Sequence, residues 1–483
     1  MTFRRTKIVA TLGPATSSEA SLESIILAGV DMVRLNFSHG SHEAHAENVN
    51  LVRRICEKHG CFVSIMGDLQ GPKLRIARFV NDRIKLQRGD AFIIDADLDA
   101  EAGNQERVGI DYKELIDDGV VGDVLLLDDG RIELEVNEVC GKEIRCTTLV
   151  GGFLSNNKGI NRRGGGLSAA ALTEKDIKDI AFAATVEIDY LAVSFPRDAS
   201  DMEEARGYLR EAGSEAGLIA KIERAEIIQD DTILDNIIHV SDGIMIARGD
   251  LAVEIGDAGL VGVQKRIIRR VRTLNKFVIT ATQMMESMVD SPVPTRAEVS
   301  DVANAVYDCT DAVMLSAESA VGEYPAEAVK AMDRICLGAE GDPDTQRSGH
   351  RIYEPFHQVD EAIGLAAMYA ANHLVGVKAL VCLTETGANP LLMSRIRSGL
   401  PIFALSGRPE TQRRVTIYRS VKTIPFDTTT MPVETVNRRV VELLLESGYV
   451  EKGDLIIMTK GDYMNAQGGT NTVKILRAGD DIC

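Results

Sequence analysis

Eight short runs of apolar and β-branched residues recur between residues 7 and 317, and helix-like stretches alternate with them. In chain order the runs read KIVATLG, DMVRLNF, FVSIMGDL, YLAVSF, LIAKIE, GIMIARGD, FVITAT and AVMLSA. Runs that are apolar throughout are typical of parallel strands buried on both faces. Eight such βα units predict a closed (β/α)8 TIM barrel. An open doubly wound sheet is the alternative, but no Gly-x-Gly-x-x-Gly pattern follows the first run.

The chain between the third and fourth runs is too long for an ordinary connection. Its apolar and polar residues alternate and its turns contain Asp-Gly and Gly-Lys, which predicts a small antiparallel β-barrel domain inserted as a lid. Three consecutive glycines at 164–166 then suit a hinge. Thr173 and Asp176 form a capping-box pattern, which predicts that a helix begins there.

A polar stretch containing Gly and Pro follows residue 337, and beyond it further βα signals indicate a separate α/β domain. A chain of 483 residues accommodates roughly three domains. We therefore predict a discontinuous catalytic barrel of residues 1–72 and 167–340, a lid of residues 73–166, and a C-terminal α/β regulatory domain of residues 341–483.

The formal net charge of -18 disfavours binding to nucleic acid or to an anionic membrane surface. No stretch approaches the roughly 20 apolar residues of a membrane helix, and the apolar run near residue 10 is too short for a signal peptide. The cysteines are scattered and form no Cys-x-x-Cys pair, which indicates reduced thiols. These features predict a cytoplasmic protein with neither nucleic acid nor membrane as a partner.

Charged residues stand at the ends of several predicted strands, where a βα barrel carries its catalytic groups. Glu223 and Asp250 end the fifth and sixth runs, and two neighbouring carboxylates suit a hard cation such as Mg²⁺. The alternative is that each acid pairs with a nearby Arg or Lys. Lys221 faces the same side as Glu223 and can stabilise a developing anion. With Arg34 and Arg75, the set predicts a site for a ligand that carries both phosphate and carboxylate.

Several longer motifs resemble the pyruvate kinase family across the whole chain. They are DMVRLNFSHG, AKIERAE, IMIARGDLAVEIG, ITATQMMESM and PTRAEVSDVANAVYDCTDAVMLSAESAVGEYP. The resemblance implies phosphoryl transfer from phosphoenolpyruvate to ADP, which gives pyruvate and ATP in the last step of glycolysis. It also implies Mg²⁺ as cofactor, with Mn²⁺ as a substitute, and a homotetramer.

The resemblance assigns roles residue by residue. It implies that Mg²⁺ is bound by Glu223 and Asp250, and that Lys221 stabilises the transition state. Arg34 matches the arginine that contacts phosphate, and the substrate carboxylate is implied to meet the Gly249 and Asp250 amides and the Thr282 hydroxyl. The nucleotide side is implied to comprise Asn36, His39, Arg75 and, from the lid, Lys158.

Lys73 distinguishes this chain from many members of the family, which carry glutamate there and require K⁺. In those members the ion is held by residues that match Asn36, Ser38, Asp68 and the carbonyl of Leu69. We predict that the Lys73 ammonium occupies or approaches the same pocket, so that K⁺ is not required. A solvated lysine at a domain hinge is the alternative.

The stretch 383–399 runs from a predicted strand through a loop rich in hydroxyl groups and glycine into a helix. Asn389 is predicted to cap this helix, with Pro390 in its first turn. The resemblance implies that an effector phosphate binds at Thr384, Thr386 and Gly387, with residues 459–471 as a second wall. A phosphorylated sugar or nucleotide is the predicted allosteric activator; an ordinary connection between strand and helix is the alternative.

Two other functions remain as alternatives to phosphoryl transfer. Another Mg²⁺-dependent barrel enzyme that forms an enolate, such as an aldolase or a lyase, would explain Glu223 and Asp250 but not the lid or Lys158. A catalytically inactive sensor of sugar phosphates would be favoured if Lys221, Glu223 or Asp250 were missing, and all three are present.

Overall fold

The first three apolar runs form the first three strands of a parallel barrel. The computed structural model describes residues 3–346, 355–429, 431–462 and 469–480 of the chain. The three strands are β1 (Lys7–Thr11), β2 (Met32–Asn36) and β3 (Ser64–Asp68). Two helices connect them, α1 (Glu19–Leu27) and α2 (His42–His59).

The long insertion after β3 is a β domain with its own apolar core. Its strands are β4 (Arg83–Leu86), β5 (Ala91–Asp95), β6 (Arg107–Gly109), β7 (Val124–Leu127), β8 (Ile132–Cys140), β9 (Glu143–Val150), β10 (Gly152–Ser155) and β11 (Ile160–Arg162), with a short helix α3 (Leu115–Asp118) before β7. Six strands lie in the order β11-β7-β8-β9-β5-β6, and β4 pairs with β10. The pairs are antiparallel as predicted, except that β5 and β6 run parallel.

The remaining five runs complete the barrel. Its strands are β12 (Tyr190–Val193), β13 (Gly217–Ile222), β14 (Gly243–Ala247), β15 (Phe277–Ala281) and β16 (Ala312–Leu315). The helices of this part are α4 (Glu174–Thr185), α5 (Ala199–Glu211), α6 (Ala225–Gln229), α7 (Asp231–Val240), α8 (Arg248–Ile255), α9 (Asp257–Thr273), α10 (Arg296–Tyr307), α11 (Ala317–Ala320) and α12 (Pro325–Glu340). The closed order β1-β16-β15-β14-β13-β12-β3-β2 confirms the predicted barrel and excludes the open sheet. The capping box that starts α4 is also confirmed.

Side chains at successive positions of a barrel strand point to opposite faces, and the two faces belong to two different apolar clusters. Ile8, Ile65 and Ile244 belong to the cluster shared with the barrel helices, whereas Val9 and Met245 belong to another that also includes residues of the C-terminal domain. Burying an aliphatic side chain of this size contributes about 1.5–3 kcal/mol. The runs are therefore apolar at successive positions because both faces of each strand are buried.

The C-terminal domain covers the amino-terminal end of the barrel. Its elements are α13 (Val359–His373), β17 (Val377–Leu383), α14 (Ala388–Ser394), β18 (Ile402–Ser406), α15 (Pro409–Arg414), β19 (Val421–Pro425), α16 (Val433–Glu446), β20 (Leu455–Gly461) and β21 (Thr470–Arg477). The strand order is β19-β18-β17-β20-β21, with β21 antiparallel to its neighbour. Lys7 at the start of β1 donates to the Val421 carbonyl, and Asp311 before β16 pairs with Arg395.

The described part of the C-terminal domain therefore does not cover the carboxyl ends of the barrel strands. The inserted domain lies at these ends, where barrels of this type carry their functional sites. None of the helices that the structure describes is both long enough and apolar enough to cross a membrane.

Candidate active site

The Lys221 side chain lies among fixed polar groups at the carboxyl end of the barrel. Its Nζ is 2.9 Å from Glu223 Oε1 and 3.3 Å from Asp68 Oδ1. It also donates to Ser194 Oγ at 2.7 Å, and that hydroxyl in turn donates to the Leu69 carbonyl at 2.8 Å. Two carboxylates and one hydroxyl therefore fix the ammonium group before any ligand arrives.

Arg34 completes the positive side of this cluster. Its Nε donates to Asp68 Oδ2 at 2.6 Å, and its Nη1 donates to Thr11 Oγ1 at 3.2 Å. Burial opposes ionisation of Asp68, but the charges of Lys221 and Arg34 hold the pKa of this carboxyl below its ordinary value. Burial likewise opposes the charge on Lys221, yet Asp68 and Glu223 raise its pKa. Lys221 therefore stays charged beside an ionised aspartate at neutral pH.

Glu223 and Asp250 form the acidic side of the site. Glu223 follows β13 and is buried; its Oε2 accepts from the Phe195 amide at 2.7 Å, while Oε1 has no hydrogen-bond partner beyond its ion pair with Lys221. Asp250 lies in the first turn of α8, after the neighbouring strand β14. Burial, together with the charge of Asp250, raises the pKa of Glu223 to about 7.

The Asp250 carboxyl is crowded by protein atoms, which raises its pKa, although the side chain is exposed along the cavity. It forms no hydrogen bond or ion pair with any residue that the structure describes. Two carboxylates that repel each other and keep oxygen atoms free of hydrogen bonds are the donor set that a hard divalent cation prefers. The residues present therefore fit Mg²⁺ or Mn²⁺.

Thr282 and Gly249 meet beside this acidic pair. The Gly249 amide donates to Thr282 Oγ1 at 2.7 Å, and that hydroxyl donates to the Ala281 carbonyl at 2.7 Å. Thr282 has a φ of 66°, which is costly for a β-branched residue, and Gln283 follows with a φ of 54°. The strained turn therefore needs support from its surroundings.

Arg248 supplies this support, and the sequence did not assign it a role in the site. The buried guanidinium donates to the Thr282 carbonyl at 2.7 Å and to the Gln283 carbonyl at 3.0 Å, while Nη1 is 2.8 Å from Asp301. Its position beside Gly249 and Asp250, at the end of an apolar run, was the available signal. We regard Arg248 as a positioning residue that fixes the Thr282 turn.

A cavity of about 390 Å³ opens between the barrel and the inserted domain. Its wall brings together most of the residues that the sequence singled out, namely Arg34, Asn36, Ser38, Leu69, Lys73, Arg75, Lys221, Glu223 and Asp250. The inserted domain contributes Asp129 and Asn157, which the sequence analysis did not select. A second cavity of about 530 Å³ adjoins it, since Asp129 and Asp250 line both. The site is therefore built by two domains.

Lys73 lies on the wall of the first cavity with its side chain exposed. Partial burial and the charge of Arg75 lower the pKa of Lys73, and the charge of Asp250 partly offsets them. Within the described ranges Lys73 forms no hydrogen bond or ion pair. The Asn36 Oδ1 already accepts from the Ser38 amide at 3.1 Å, and the Leu69 carbonyl accepts from Ser194. Lys73 thus shares a cavity with these groups without bonding to them.

Two residues of the implied nucleotide side do not line either of these cavities. His39 is exposed, and its carbonyl lies 2.9 Å from His45 Nε2. Lys158 Nζ is 2.7 Å from Asp128 Oδ1, so its charge is engaged within the inserted domain itself. Both residues would therefore have to contact a nucleotide from positions outside the walls of these two cavities.

Ser194 and Glu254 are further members that the sequence analysis did not find. Ser194 is the polar residue next to the end of the run YLAVSF, so its place near a strand end was a usable signal. Glu254 is buried on α8; its Oε2 accepts from the Ala225 amide at 2.7 Å, and its backbone carbonyl accepts from Gly164 at 3.1 Å. Burial raises the pKa of Glu254 to about 7. The helix that carries Asp250 is thereby tied to the exit of the inserted domain.

The exit itself requires its glycines. Gly164, Gly165 and Gly166 all have positive φ, between 77° and 86°. A Cβ placed on Gly165 would lie 1.9 Å from Glu226 Oε2. The backbone conformation therefore disfavours larger residues at this connection, and a Cβ on Gly165 would also force the Glu226 carboxylate to move.

The loop after β17 holds two of the predicted effector residues in local hydrogen bonds. Thr384 Oγ1 accepts from the Gly387 amide at 3.0 Å, and Thr386 Oγ1 accepts from the Ala388 amide at 3.4 Å. The predicted cap at Asn389 was wrong: Gly387 is the N-cap, because its φ of 85° makes the turn into the helix two residues earlier. Asn389 is instead buried in the first turn. Residues 463–468 of the predicted second wall lie outside the described residues.

Comparison with known proteins identifies the family to which this fold belongs. Two family models match, the pyruvate kinase barrel domain over residues 3–329 and the pyruvate kinase alpha/beta domain over residues 361–476. Pyruvate kinase of Buchnera aphidicola subsp. Acyrthosiphon pisum is 55% identical over 475 residues, which cover 98% of this chain and 99% of that relative. Pyruvate kinase II of Salmonella typhimurium is 55% identical over 474 residues, which cover 98% of each.

A solved structure gives the same result at lower sequence identity. The crystal structure of a pyruvate kinase from Cryptosporidium parvum matches with a TM-score of 0.90 and 33% identity, covering 98% of this chain and 96% of that chain. Family models that span both the barrel and the C-terminal domain, together with full-length relatives, leave one conclusion. The chain belongs to the pyruvate kinase family.

Proposed function

We propose that the chain transfers the phosphoryl group of phosphoenolpyruvate to ADP at the barrel mouth, as a Mg²⁺-dependent, cytoplasmic enzyme of glycolysis. The observation that carries this proposal is the placement of Lys221, whose ammonium lies 2.9 Å from Glu223 and 3.3 Å from Asp68 beside a cavity that also holds Arg34 and Asp250. Fixed cations next to acids with unpartnered oxygen atoms suit a ligand that carries several negative charges.

Glu223 and Asp250 are the residues that would hold the divalent cation, which when bound supplies positive charge to the phosphate oxygens. Arg34 and Lys221 contribute the other positive charges. Phosphoryl transfer passes through a loose transition state, so positioning and charge neutralisation provide most of the catalysis. Lys221 is held in place by Asp68 and Ser194 and need not reorganise while negative charge moves to the enolate oxygen.

The carboxylate end of the substrate is proposed to meet the backbone of Gly249 and Asp250 and the hydroxyl of Thr282. Arg248 keeps the Thr282 turn in its strained conformation, so this hydroxyl remains oriented. A substrate that accepts from Thr282 Oγ1 would replace the bond that this hydroxyl now donates to the Ala281 carbonyl.

The nucleotide is proposed to bind from the side of the inserted domain, at Arg75 and Lys158 together with Asn36 and His39. Lys158 would exchange Asp128 for a phosphate oxygen when the inserted domain approaches the barrel. Closure of such a lid excludes water from the site, which favours transfer to ADP over hydrolysis.

Lys73 is proposed to replace the monovalent cation on which many members of the family depend. Support comes from its place on the wall of the cavity that also contains Asn36, Ser38 and Leu69. The charge belongs to the chain, so turnover would need no added K⁺.

A phosphorylated sugar or nucleotide is proposed to activate the enzyme by binding at Thr384, Thr386 and Gly387. Two hydroxyl groups and a glycine turn at the start of α14 support this assignment. A homotetramer would give such an effector a route to cooperative control, since symmetric assemblies couple their sites through interfaces.

A coupled assay of pyruvate formation from phosphoenolpyruvate and ADP tests the proposed reaction. We expect turnover with Mg²⁺ or Mn²⁺ and none when the cation is removed by a chelator. Lys178→Met, on the exposed face of α4, is the matched control for changes at Lys221. Failure to form ATP with cation present would favour the inactive sensor, and cleavage of a carbon–carbon bond would favour the aldolase or lyase. Adding AMP and a panel of sugar phosphates then tests activation.

A further inference from the structure

Two cysteines lie together at the carboxyl end of α2, far from the residues of the phosphoryl-transfer site. The helix ends at Gly60, which has a φ of 61° and a ψ of 34°. The Cys61 amide donates to the Cys56 carbonyl at 3.0 Å, and the Gly60 amide reaches the Glu57 carbonyl at 3.3 Å. This pair of bonds is the Schellman motif, which brings the side chains of its first and last residues into contact. Here those residues are Cys56 and Cys61.

The turn places the two cysteine side chains on the same side of the helix end, and the two thiols differ in exposure. Cys56 is buried, with 7% of its surface exposed, whereas Cys61 is partly exposed. The hydrogen bond from Cys56 stabilises the Cys61 thiolate and, with the charge of His59, lowers the pKa of Cys61 to about 7, although burial opposes this. The same contact raises the pKa of Cys56. A partly exposed thiolate beside a buried thiol is the arrangement of a reactive cysteine with its resolving partner.

Other described cysteines lack this combination. Burial raises the pKa of Cys146, Cys336 and Cys382 to about 12, so these thiols stay protonated. Cys309 is also buried. Cys140 is exposed, on the inserted domain, and has no second cysteine beside it in the described residues. Cys140 therefore serves as an internal reference for an accessible thiol without a partner.

Cys61 is also reachable by a small molecule. It lines a cavity of about 530 Å³ together with Gly60, Phe62, Arg4, Lys7 and Asp31. Arg4 pairs with Asp31 at 2.9 Å, so the positive charge on the wall of this cavity is partly neutralised and an uncharged oxidant is not disfavoured. A hydroperoxide has the required size and lack of charge.

We propose that Cys56 and Cys61 form a reversible dithiol site that a hydroperoxide oxidises to a disulfide. The Cys61 thiolate attacks one peroxide oxygen, the O–O bond breaks, and the leaving oxyanion takes up a proton, which leaves a sulfenic acid on Cys61. The Cys56 sulfur then attacks the Cys61 sulfur, forming the S–S bond; the sulfenic hydroxyl leaves and takes the Cys56 thiol proton as water. Two thiols lose two electrons and one peroxide bond is reduced.

The site can be read directly by peptide mapping, because Lys58 separates the two cysteines. Trypsin cuts after Arg54, Lys58 and Lys73, so Cys56 and Cys61 fall in peptides 55–58 and 59–73. After treatment of the full-length reduced protein with hydrogen peroxide, we expect these two peptides to be joined by a disulfide that dithiothreitol removes. We expect peroxide to oxidise the Cys61 thiol at least about tenfold faster than the Cys140 thiol.

Three variants separate the roles of the two thiols. Cys61→Ser should abolish the fast oxidation, and Cys140→Ser should leave it unchanged. Cys56→Ala, or Cys56→Ser where alanine folds poorly, should leave Cys61 as a sulfenic acid that dimedone traps. Circular dichroism of each variant checks the fold. The proposal would be overturned if Cys56 remained a reduced thiol while Cys61 was oxidised in the original chain. It would also be overturned if Cys61 was oxidised no faster than Cys140.

Discussion

The barrel mouth and the inserted domain both carry charged residues that are assigned to the proposed site, but the two regions hold these residues differently. On the barrel, the Lys221 side chain is 12% exposed and contacts two carboxylates that are each 1% exposed. On the inserted domain, the Lys158 side chain is 34% exposed and has one carboxylate partner in its own domain. Barrel charges are fixed by burial, whereas the Lys158 charge can exchange its partner. The first arrangement suits transition-state stabilisation, and the second suits a ligand that enters and leaves.

Removal of the Lys221 ammonium should change activity more than any other substitution considered, because this charge is already fixed in place by buried barrel residues. We expect Lys221→Met to lower kcat by at least about 10³, since a fixed charge next to the enolate oxygen is lost. Tm should also fall, because Asp68 and Glu223 would remain buried without their partner. Steady-state kinetics and thermal unfolding, with Lys178→Met as control, measure both. A folded variant with less than a tenfold change in kcat would contradict the role.

Lys73 lies between the two regions and should give the next largest effect. We expect the original chain to change less than about twofold on adding K⁺, because a charge of the chain already occupies the cavity wall. Lys73→Glu should lose about 10²-fold in buffer free of K⁺ and regain much of this with K⁺. Assays in tetramethylammonium and potassium salts, with Lys73→Met as the control that lacks a new carboxylate, make the measurement. Strong activation of the original chain by K⁺ would refute the hypothesis.

Substitution of Lys158 tests whether the inserted domain supplies a charge that exchanges its Asp128 partner for the nucleotide. We expect Lys158→Met to raise KM for ADP by about tenfold while KM for phosphoenolpyruvate changes less than about twofold, because one phosphate contact is lost and the barrel site is intact. Asp128→Asn, which releases Lys158 from its partner, should instead lower KM for ADP. If both KM values rose together in Lys158→Met, the two regions would not act separately.

The smallest effect is expected at Glu254, where α8 meets the exit of the inserted domain. Its pKa of about 7 in the folded chain is above the ordinary 4.5, so between pH 4.5 and 7 the folded chain holds a proton that the unfolded chain has released. Its contribution to the free energy of unfolding therefore falls as pH rises through this window, and the loss is complete above about pH 7. Glu254→Gln cannot ionise.

The Tm of Glu254→Gln minus the Tm of the original chain should thus become more positive from pH 5 to pH 8. The matching change in the free energy of unfolding is less than about 3 kcal/mol. Thermal unfolding of both proteins across this range measures it, and Gln229→Glu, on the nearby exposed edge of α6, provides a carboxyl that is not buried as a control. A difference that fell with pH would show that Glu254 is ionised at low pH and held by its hydrogen-bond donors.

Much of the catalytic cluster could be predicted because local patterns specify it. An apolar run marks a strand, and a charged residue directly after the run marks the end where barrel sites form. Asp68, Glu223 and Asp250 were found in this way, and the cavity wall includes two of them with Lys221. Ser194 carried the same signal but is only a serine near the end of a run, and the bond that it accepts from Lys221 depends on the pairing of β12 with β13.

The roles of other residues could not be assigned because their partners are far apart in sequence. Glu254 matters through Ala225 and Gly164, and Arg248 through the carbonyls of Thr282 and Gln283. The helix start at Gly387 was missed because Asn389 followed by proline matched a capping pattern, while the left-handed turn of Gly387 began the helix earlier. The domain boundaries, the effector and the subunit number stay predictions.

The sequence by itself determined the eight strands, their order in the chain and the type of charge at the end of each, because burial on both faces and the end of burial are local properties of a strand. Tertiary structure alone decided which charges neutralise one another: Lys221 with Asp68 and Glu223, and Lys158 with Asp128. Electrostatic and hydrogen-bond strength depends on separations of a few ångströms and on burial, and both are set only when the barrel closes.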